Sequence, residues 1–110
     1  YRTLLVGGEA MSSEHARKAL PHMKGVLINA YGPTENTTLA TTYQVTHVPE
    51  DARSVPIGVP VANSTVVILD DHLNPVPTGV KGEIYIGGTG LAKGYLHDQE
   101  RTEERFIDNP

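Results

Sequence analysis

The spacing of apolar positions predicts a strand followed by a helix at the start of the chain. Thr3–Val6 is an apolar run with the length and composition of a strand. Four apolar residues then fall at positions i, i+3, i+4 and i+7 and form one helical stripe: Ala16, Ala19, Leu20 and Met23. Ser12 or Ser13 is a suitable N-cap for this helix. Pro21 disfavours helix at the residue before it, so the helix is expected to end near residue 20.

A second apolar run, residues 26–30, completes a β-α-β unit. The two strands of such a unit run parallel and are joined by a right-handed crossover. Because parallel neighbours end at the same edge of the sheet, Gly7-Gly8-Glu9 and Tyr31-Gly32 are expected to line one crevice there. Two glycine-rich strand ends at that edge favour a ligand site.

The second half of the chain has a different pattern. Residues 55–61 contain two prolines and are expected to be extended, outside the centre of a sheet. Residues 65–69 and 83–86 read as strands separated by turn residues. Residues 98–106 resemble a short polar helix, with Leu96 and Phe106 as its apolar anchors.

The predicted fold is therefore of the α/β class and has two parts. Residues 1–50 would form a parallel β-α-β unit at the end of a larger α/β sheet. Residues 51–110 would form a small antiparallel, β-barrel-like subdomain with a glycine-rich motif and a short C-terminal helix. The threonine-rich residues 36–46 fit a helix or a strand, and the pattern leaves both open.

Composition narrows the classes of function. The 110 residues are enough for one domain or part of one, and the net charge of −4 argues against nucleic-acid and anionic-membrane surfaces. No cysteine is present, which fits a reducing, cytoplasmic compartment, and no apolar run approaches the ~20 residues of a membrane span. Because the sequence starts without Met and inside a predicted strand, we expect an excised internal piece.

The segment after the second strand carries the candidate chemistry. Gly32-Pro33 forces a turn, and Thr34 and Glu35 follow with a hydroxyl and a carboxylate. These groups suit phosphate and Mg²⁺, which is usually held by one or two carboxylates together with substrate phosphates. The alternative is that Thr34 caps a following helix and Glu35 interacts favourably with the helix dipole.

A second glycine-rich stretch, residues 87–94, does not meet the requirements of the known phosphate loops. Lys93 precedes Gly94, whereas a P-loop needs a Gly-Lys-Ser/Thr sequence, and a dinucleotide fingerprint would need glycine or alanine at position 93. We therefore expect these glycines to be structural and to allow close backbone approach.

Three motifs in this order resemble the core motifs of nonribosomal peptide synthetase adenylation domains. They are Gly7-Gly8-Glu9, Asn29-Ala30-Tyr31-Gly32-Pro33-Thr34-Glu35 and residues 82–96. These domains belong to the adenylate-forming enzymes, which include acyl-CoA synthetases and firefly luciferase. Lys93 is a departure, because the family more often has arginine there.

The resemblance implies that ATP and an amino acid form an aminoacyl-adenylate with Mg²⁺, and that a peptidyl carrier domain receives the acyl group on its phosphopantetheine thiol. Asn29 would hydrogen-bond the adenine amino group, Tyr31 would pack on the adenine, and Thr34 and Glu35 would contact phosphate and Mg²⁺. The implied nucleotide-binding set is Gly8, Glu9, Asn29, Tyr31, Gly32 and Thr34.

The resemblance also places five uncharged positions along the amino-acid pocket: Leu5, Gly7, Ala30, Thr38 and Leu39. Because an unpaired buried charge is costly, an uncharged and mainly apolar amino acid is expected. The remainder of the adenylation domain is an implied partner, and the fragment alone is expected to be inactive. The alternatives are a fragment of a carboxylic-acid:CoA ligase of the same superfamily and a non-catalytic nucleotide-binding module.

Overall fold

Two β-sheets, two α-helices and two 3₁₀ turns make up residues 2–110, the part of the chain that this computed structural model describes. The strands are β1 (Thr3–Val6), β2 (Val26–Tyr31), β3 (Thr41–Val45), β4 (Val59–Pro60), β5 (Ser64–Leu69) and β6 (Glu83–Gly88). The α-helices are α1 (Ser13–Ala19) and α2 (Gln99–Arg105), and the 3₁₀ turns are Leu20–His22 and Thr34–Asn36.

The predicted β-α-β unit is confirmed. Strands β1 and β2 pair in parallel, and their register runs from Thr3 opposite Val26 to Val6 opposite Asn29. Ser12 is the N-cap of α1, and its hydroxyl accepts a 3.3 Å hydrogen bond from the amide of His15. Helix α1 ends at Ala19, near the predicted residue 20, and continues into a 3₁₀ turn with Pro21 in its first positions, where a missing amide donor is tolerated. Leu20 nevertheless keeps helical dihedral angles, with φ −51° and ψ −46°.

The first sheet has the strand order β1-β2-β3-β4, with β3 antiparallel to β2 and β4 antiparallel to β3. Residues 36–46, whose pattern left helix and strand open, contribute the end of a 3₁₀ turn and then strand β3. The proline-containing strand β4 lies at the edge of the sheet, where a missing amide donor costs least. Because β4 comes from the second half of the chain, the first sheet draws on both halves; the division between residues 50 and 51 stays a prediction.

Strands β5 and β6 form a separate antiparallel pair, from Ser64 opposite Gly88 to Leu69 opposite Glu83. Within residues 2–110 this pair remains an open two-stranded ribbon and does not close into a barrel. The predicted C-terminal helix is present as α2, with the side chain of Asp98 as its N-cap.

The expectation that Leu96 anchors this helix is wrong. The Leu96 residue is 85% exposed, whereas the ring of Phe106 meets the ring of Tyr95 edge-on at a centroid distance of 5.6 Å. Leu96 lies in the tight turn between Tyr95 and Asp98, which the Asp98 amide closes by donating to the carbonyl oxygen of Tyr95, and its side chain projects from this turn into solvent.

The apolar core lies between α1 and one face of the first sheet. Its buried members are Ala16, Leu27, Val45, Val48 and Val55. Strand β1, at the edge of the sheet, is exposed along its whole length. In the described part of the chain, no helix has the length and apolar character needed to cross a membrane.

Candidate active site

The carboxyl ends of β1 and β2 meet at one edge of the first sheet, as the motif spacing predicts. Gly7 lies so close to β2 that a Cβ atom on it would be 2.6 Å from the carbonyl oxygen of Ala30. Gly8 has a φ of 97°, which favours glycine, and a Cβ there would meet no atom within 4 Å. Glu9 follows in an exposed position. Gly7 therefore permits close packing of β1 on β2, and Gly8 turns the chain at a point where no other atom lies near its Cβ position.

The predicted substrate-pocket residues lie on three chain segments that pack next to one another. Gly32 packs against the next segment, since a Cβ on it would overlap the carbonyl oxygen of Thr38 and lie 2.7 Å from Cα of Leu39. Ala30 stands two residues before Gly32 in the chain and next to Gly7 across the β1–β2 pair. Leu5, two residues before Gly7, is exposed on the same side of β1. The structure thus places Gly7 next to Ala30, and Ala30 close in the chain to the contact of Gly32 with Thr38 and Leu39. Leu5 lies at one end of this row of residues.

Asn29 is held by two backbone carbonyls from the second half of the chain. The residue is 3% exposed, and its Nδ2 atom donates to the carbonyl oxygen of Pro56 over 2.8 Å and to that of Val55 over 3.5 Å. Because the donor end of the amide is occupied, the orientation of its acceptor oxygen is fixed. Tyr31 is half-buried two residues further on, on the same face of β2.

Thr34 and Glu35 lie in the short 3₁₀ turn Thr34–Asn36 and not at the start of a longer helix. Pro33 occupies the N-cap position of this turn, and no side chain caps it. The structure therefore contradicts the alternative in which Thr34 caps a following helix. Thr34 is exposed and Glu35 half-buried at the end of the same strand, β2.

Glu35 has a partner that the sequence did not reveal. The Tyr95 hydroxyl donates a hydrogen bond to Oε1 of Glu35. This bond, and then the backbone amide of Glu35 itself, lowers the pKa of the Glu35 carboxyl group. The same bond raises the pKa of Tyr95, and desolvation adds to the rise. The guanidinium of Arg101 lies over the Tyr95 ring, 4.7 Å from its centroid.

The glycine-rich stretch makes backbone contacts with the turn that carries Glu35. The amide of Ala92 donates to the carbonyl oxygen of Glu35 over 2.7 Å, and a Cβ on Gly90 would lie 3.1 Å from the carbonyl oxygen of Asn36. Gly88 has a φ of 122° and no room for a Cβ beside Asn63. The expectation of close backbone approach is confirmed at Gly88 and Gly90, whereas Gly94 meets the Thr102 side chain and a Cβ on Gly87 would meet only Thr65 at 3.9 Å.

The donor set fits a cation that is shared with a bound phosphate. A cleft of about 940 Å³ opens beside Glu35, and Tyr31, Pro33, Lys93 and Tyr95 are among the residues that line it. Among residues 2–110, no group of three or more His, Cys, Asp or Glu side chains could hold a metal. A single carboxylate such as that of Glu35 is enough for the usual Mg²⁺ arrangement, in which substrate phosphates and water complete the coordination.

Comparison with known proteins identifies the class. Residues 1–96 match the family described as AMP-binding enzyme, and the chain therefore belongs to that family. It is 55% identical over 109 residues to one of the linear gramicidin synthase proteins of Brevibacillus parabrevis, covering 99% of this chain and 1% of that protein. It is also 55% identical over 111 residues to malpibaldin synthetase of Mortierella alpina, covering 98% of this chain and 2% of that protein.

Solved structures agree with this assignment. The chain superposes with a TM-score of 0.90 and 40% identity on PA1221, a nonribosomal peptide synthetase protein containing adenylation and PCP domains, over 96% of this chain and 19% of that one. It superposes with a TM-score of 0.87 and 41% identity on AB3403, a four-domain nonribosomal peptide synthetase bound to AMP and glycine, over 98% of this chain and 8% of that one. The resemblance seen in the three motifs is confirmed, and the chain spans only a small part of each relative.

Proposed function

We propose that this chain supplies part of the ATP and amino-acid site of an adenylation domain in nonribosomal peptide synthesis. The domain that contains it would form an aminoacyl-adenylate and pyrophosphate, and would then pass the aminoacyl group to the phosphopantetheine thiol of a peptidyl carrier domain. The observation that carries the proposal is the parallel pairing of β1 with β2, which brings Gly7-Gly8-Glu9 and Tyr31–Glu35 to one edge of the sheet.

In this proposal the edge binds the nucleotide. Gly8 and Glu9 line the adenine pocket, mainly through their backbone, and Tyr31 packs on the adenine. Asn29 offers its amide oxygen to the adenine amino group, which is supported by the engagement of its Nδ2 atom with Pro56. Gly32 keeps the turn close to the edge by packing on Thr38 and Leu39.

Thr34 and Glu35 would act on the phosphates. The Thr34 residue is exposed, so its hydroxyl can donate to a phosphate oxygen, and the Glu35 carboxylate would hold Mg²⁺. A bound Mg²⁺ supplies charge stabilisation as the α-phosphate is attacked by the substrate carboxylate. The hydrogen bond from Tyr95 lowers the pKa of the Glu35 carboxyl group, which favours the ionised form that binds a cation.

The substrate would be an uncharged, mainly apolar amino acid. The proposed pocket positions, Leu5, Gly7, Ala30, Thr38 and Leu39, carry no charge. A charged substrate side chain would be buried on this wall without a partner, at a cost of several kcal/mol by an order-of-magnitude estimate.

A carrier domain is the proposed recipient of the acyl group. PA1221, which shares this fold over 96% of the chain, contains adenylation and PCP domains, and one of its structures was solved with a vinylsulfonamide inhibitor. The remainder of the adenylation domain must complete the site, because this chain covers only 19% of the PA1221 chain.

The test is pyrophosphate exchange by the adenylation domain that contains this chain, across a panel of amino acids, with a Glu35→Gln variant. We expect exchange with apolar amino acids and a loss of about a hundredfold or more in the variant, since a metal ion supplies several kcal/mol of stabilisation. Glu50→Gln, in an exposed turn away from this edge, is the matched control and should keep full activity.

Other outcomes would identify the alternatives. Turnover with aryl or fatty acids and CoA, but not with amino acids, would indicate a carboxylic-acid:CoA ligase. Nucleotide binding without exchange on any acid would indicate a non-catalytic module. Exchange that favours aspartate, glutamate or lysine would contradict the proposed pocket.

A further inference from the structure

We infer that Tyr95 is a positioning residue that holds the Glu35 carboxylate in the orientation that binds a divalent cation. The inference rests on the proposed role of Glu35 and adds to it a second residue, 60 positions away in the chain. Its physical basis is a hydrogen bond from the phenol to one carboxylate oxygen, in a tyrosine whose backbone and ring are both held by α2 and its flanking residues.

Tyr95 is anchored through its backbone. Its amide donates a 2.8 Å hydrogen bond to Oγ1 of Thr102, and that hydroxyl donates in turn to the carbonyl oxygen of Asp98 over 2.7 Å. Gly94, with a φ of 139°, allows the contact because any Cβ there would overlap the Thr102 side chain. Gly94 is therefore needed for Tyr95 to pack against α2.

The ring of Tyr95 is fixed as well. The guanidinium of Arg101 covers one face at 4.7 Å from the centroid, and Phe106 meets the ring edge-on with an interplanar angle of 76°. Both contacts involve the ring and not the hydroxyl. The phenol oxygen is consequently held in one position, from which it donates its hydrogen bond to Glu35.

The turn that carries Glu35 is held independently at its backbone, by the amide of Ala92. The bond from Ala92 fixes the position of the Glu35 main chain, and the bond from Tyr95 fixes the position of its carboxylate group. An ionised carboxylate has about four acceptor positions, so one phenol donor leaves capacity for a cation. Groups that orient a metal ligand in this way contribute to metal affinity without touching the metal.

The experiment measures cation binding directly, in the adenylation domain that contains this chain. Mn²⁺ serves as the probe, and its binding is followed by electron paramagnetic resonance in the presence of a non-hydrolysable ATP analogue. Tyr95→Phe keeps the ring contacts with Arg101 and Phe106 and removes only the hydroxyl. We expect Mn²⁺ to bind about tenfold more weakly, the lower end of the range for loss of a group that orients a ligand.

The matched control is Tyr43→Phe. Tyr43 lies on β3 and packs against the core, and it does not belong to the described residues that line the cleft beside Glu35. This variant should bind Mn²⁺ like the unmodified domain. A second test variant, Thr102→Val, removes the acceptor for the Tyr95 amide and should weaken Mn²⁺ binding by a smaller factor.

The readouts separate this inference from the proposed function. Steady-state kinetics on Tyr95→Phe should show a higher Mg²⁺ requirement, which loss of folded protein alone would not produce. The KM for the amino acid should be unchanged. Normal Mn²⁺ affinity in Tyr95→Phe together with weak binding in Glu35→Gln would overturn the positioning role and leave the proposed function standing. Normal affinity in Glu35→Gln would overturn both.

Discussion

The Thr37 hydroxyl donates a 2.6 Å hydrogen bond to the carbonyl oxygen of Gly90, and so joins two motifs that are 53 residues apart. Thr37 follows the turn that carries Glu35, and Gly90 lies in the glycine-rich stretch after β6. Thr37 makes this contact with a φ of 46°, in the left-handed region that threonine rarely adopts. A backbone in that region is retained when surrounding contacts hold it, and this hydrogen bond is one of them.

Thr37→Val should loosen the turn that carries Glu35. Valine has nearly the same shape and the same β-branch, so the substitution removes the hydroxyl while the backbone preference changes little. A hydrogen bond of this kind contributes about 1 kcal/mol, which corresponds to roughly fivefold faster local opening. Hydrogen exchange of the amides in residues 34–40 and 88–92 measures the change. Unchanged exchange in both segments would show that the bond does not hold the motifs together.

Gly32→Ala should destabilise the adenylation domain by about 2 kcal/mol or more, because overpacking beside a rigid backbone costs on that order. The added methyl group would overlap the carbonyl oxygen of Thr38 and crowd Cα of Leu39. Denaturant unfolding measures the loss. Gly87→Ala is the control, since its Cβ would meet only the Thr65 side chain, at 3.9 Å. Equal stability of the two variants would contradict the close approach at Gly32.

The β-α-β unit could be predicted from sequence because its signals are local. The helical stripe, the Ser12 cap and Pro21 lie within a few residues of the elements that they define. The parallel pairing follows from the crossover rule and needs no further information. The meeting of Gly7-Gly8-Glu9 with Tyr31-Gly32 at one edge is a direct consequence, and the structure has it.

The contacts between motifs could not be predicted, since they depend on how distant segments pack. The Tyr95–Glu35 bond spans 60 positions, and no periodicity connects them. The turn at residues 37–38 was also hidden, because two threonines adopt φ values of 46° and 84° where glycine or asparagine would be the usual signal. Tyr95 could have been suspected only from its position at the end of the glycine-rich motif.

Asp70 should titrate below the usual aspartate pKa. Its Oδ1 atom accepts 2.9 Å hydrogen bonds from the amides of His72 and Asn74, and the bond from Asn74 is the main cause of the lowered pKa. A lowered folded-state pKa means that the stabilisation is present above about pH 4, the unfolded value, and is lost as the pH falls through the folded value. Carboxyl NMR titration measures this, and Asp70→Asn should remove the corresponding part of the acid dependence. A titration midpoint at or above about pH 4 would contradict the assignment.

Thr41→Val should be neutral or should stabilise the domain by about 1 kcal/mol, because it removes a buried hydroxyl that has no hydrogen bond to lose. Thr41 is 2% exposed, and among residues 2–110 its Oγ1 atom has no hydrogen-bond partner. The substitution has the same chemistry as Thr37→Val, yet the expected sign is opposite, so the two variants control for each other. Denaturant unfolding of both in the adenylation domain measures the difference. A loss of stability at Thr41 equal to that at Thr37 would mean that a partner for this hydroxyl comes from elsewhere in the domain.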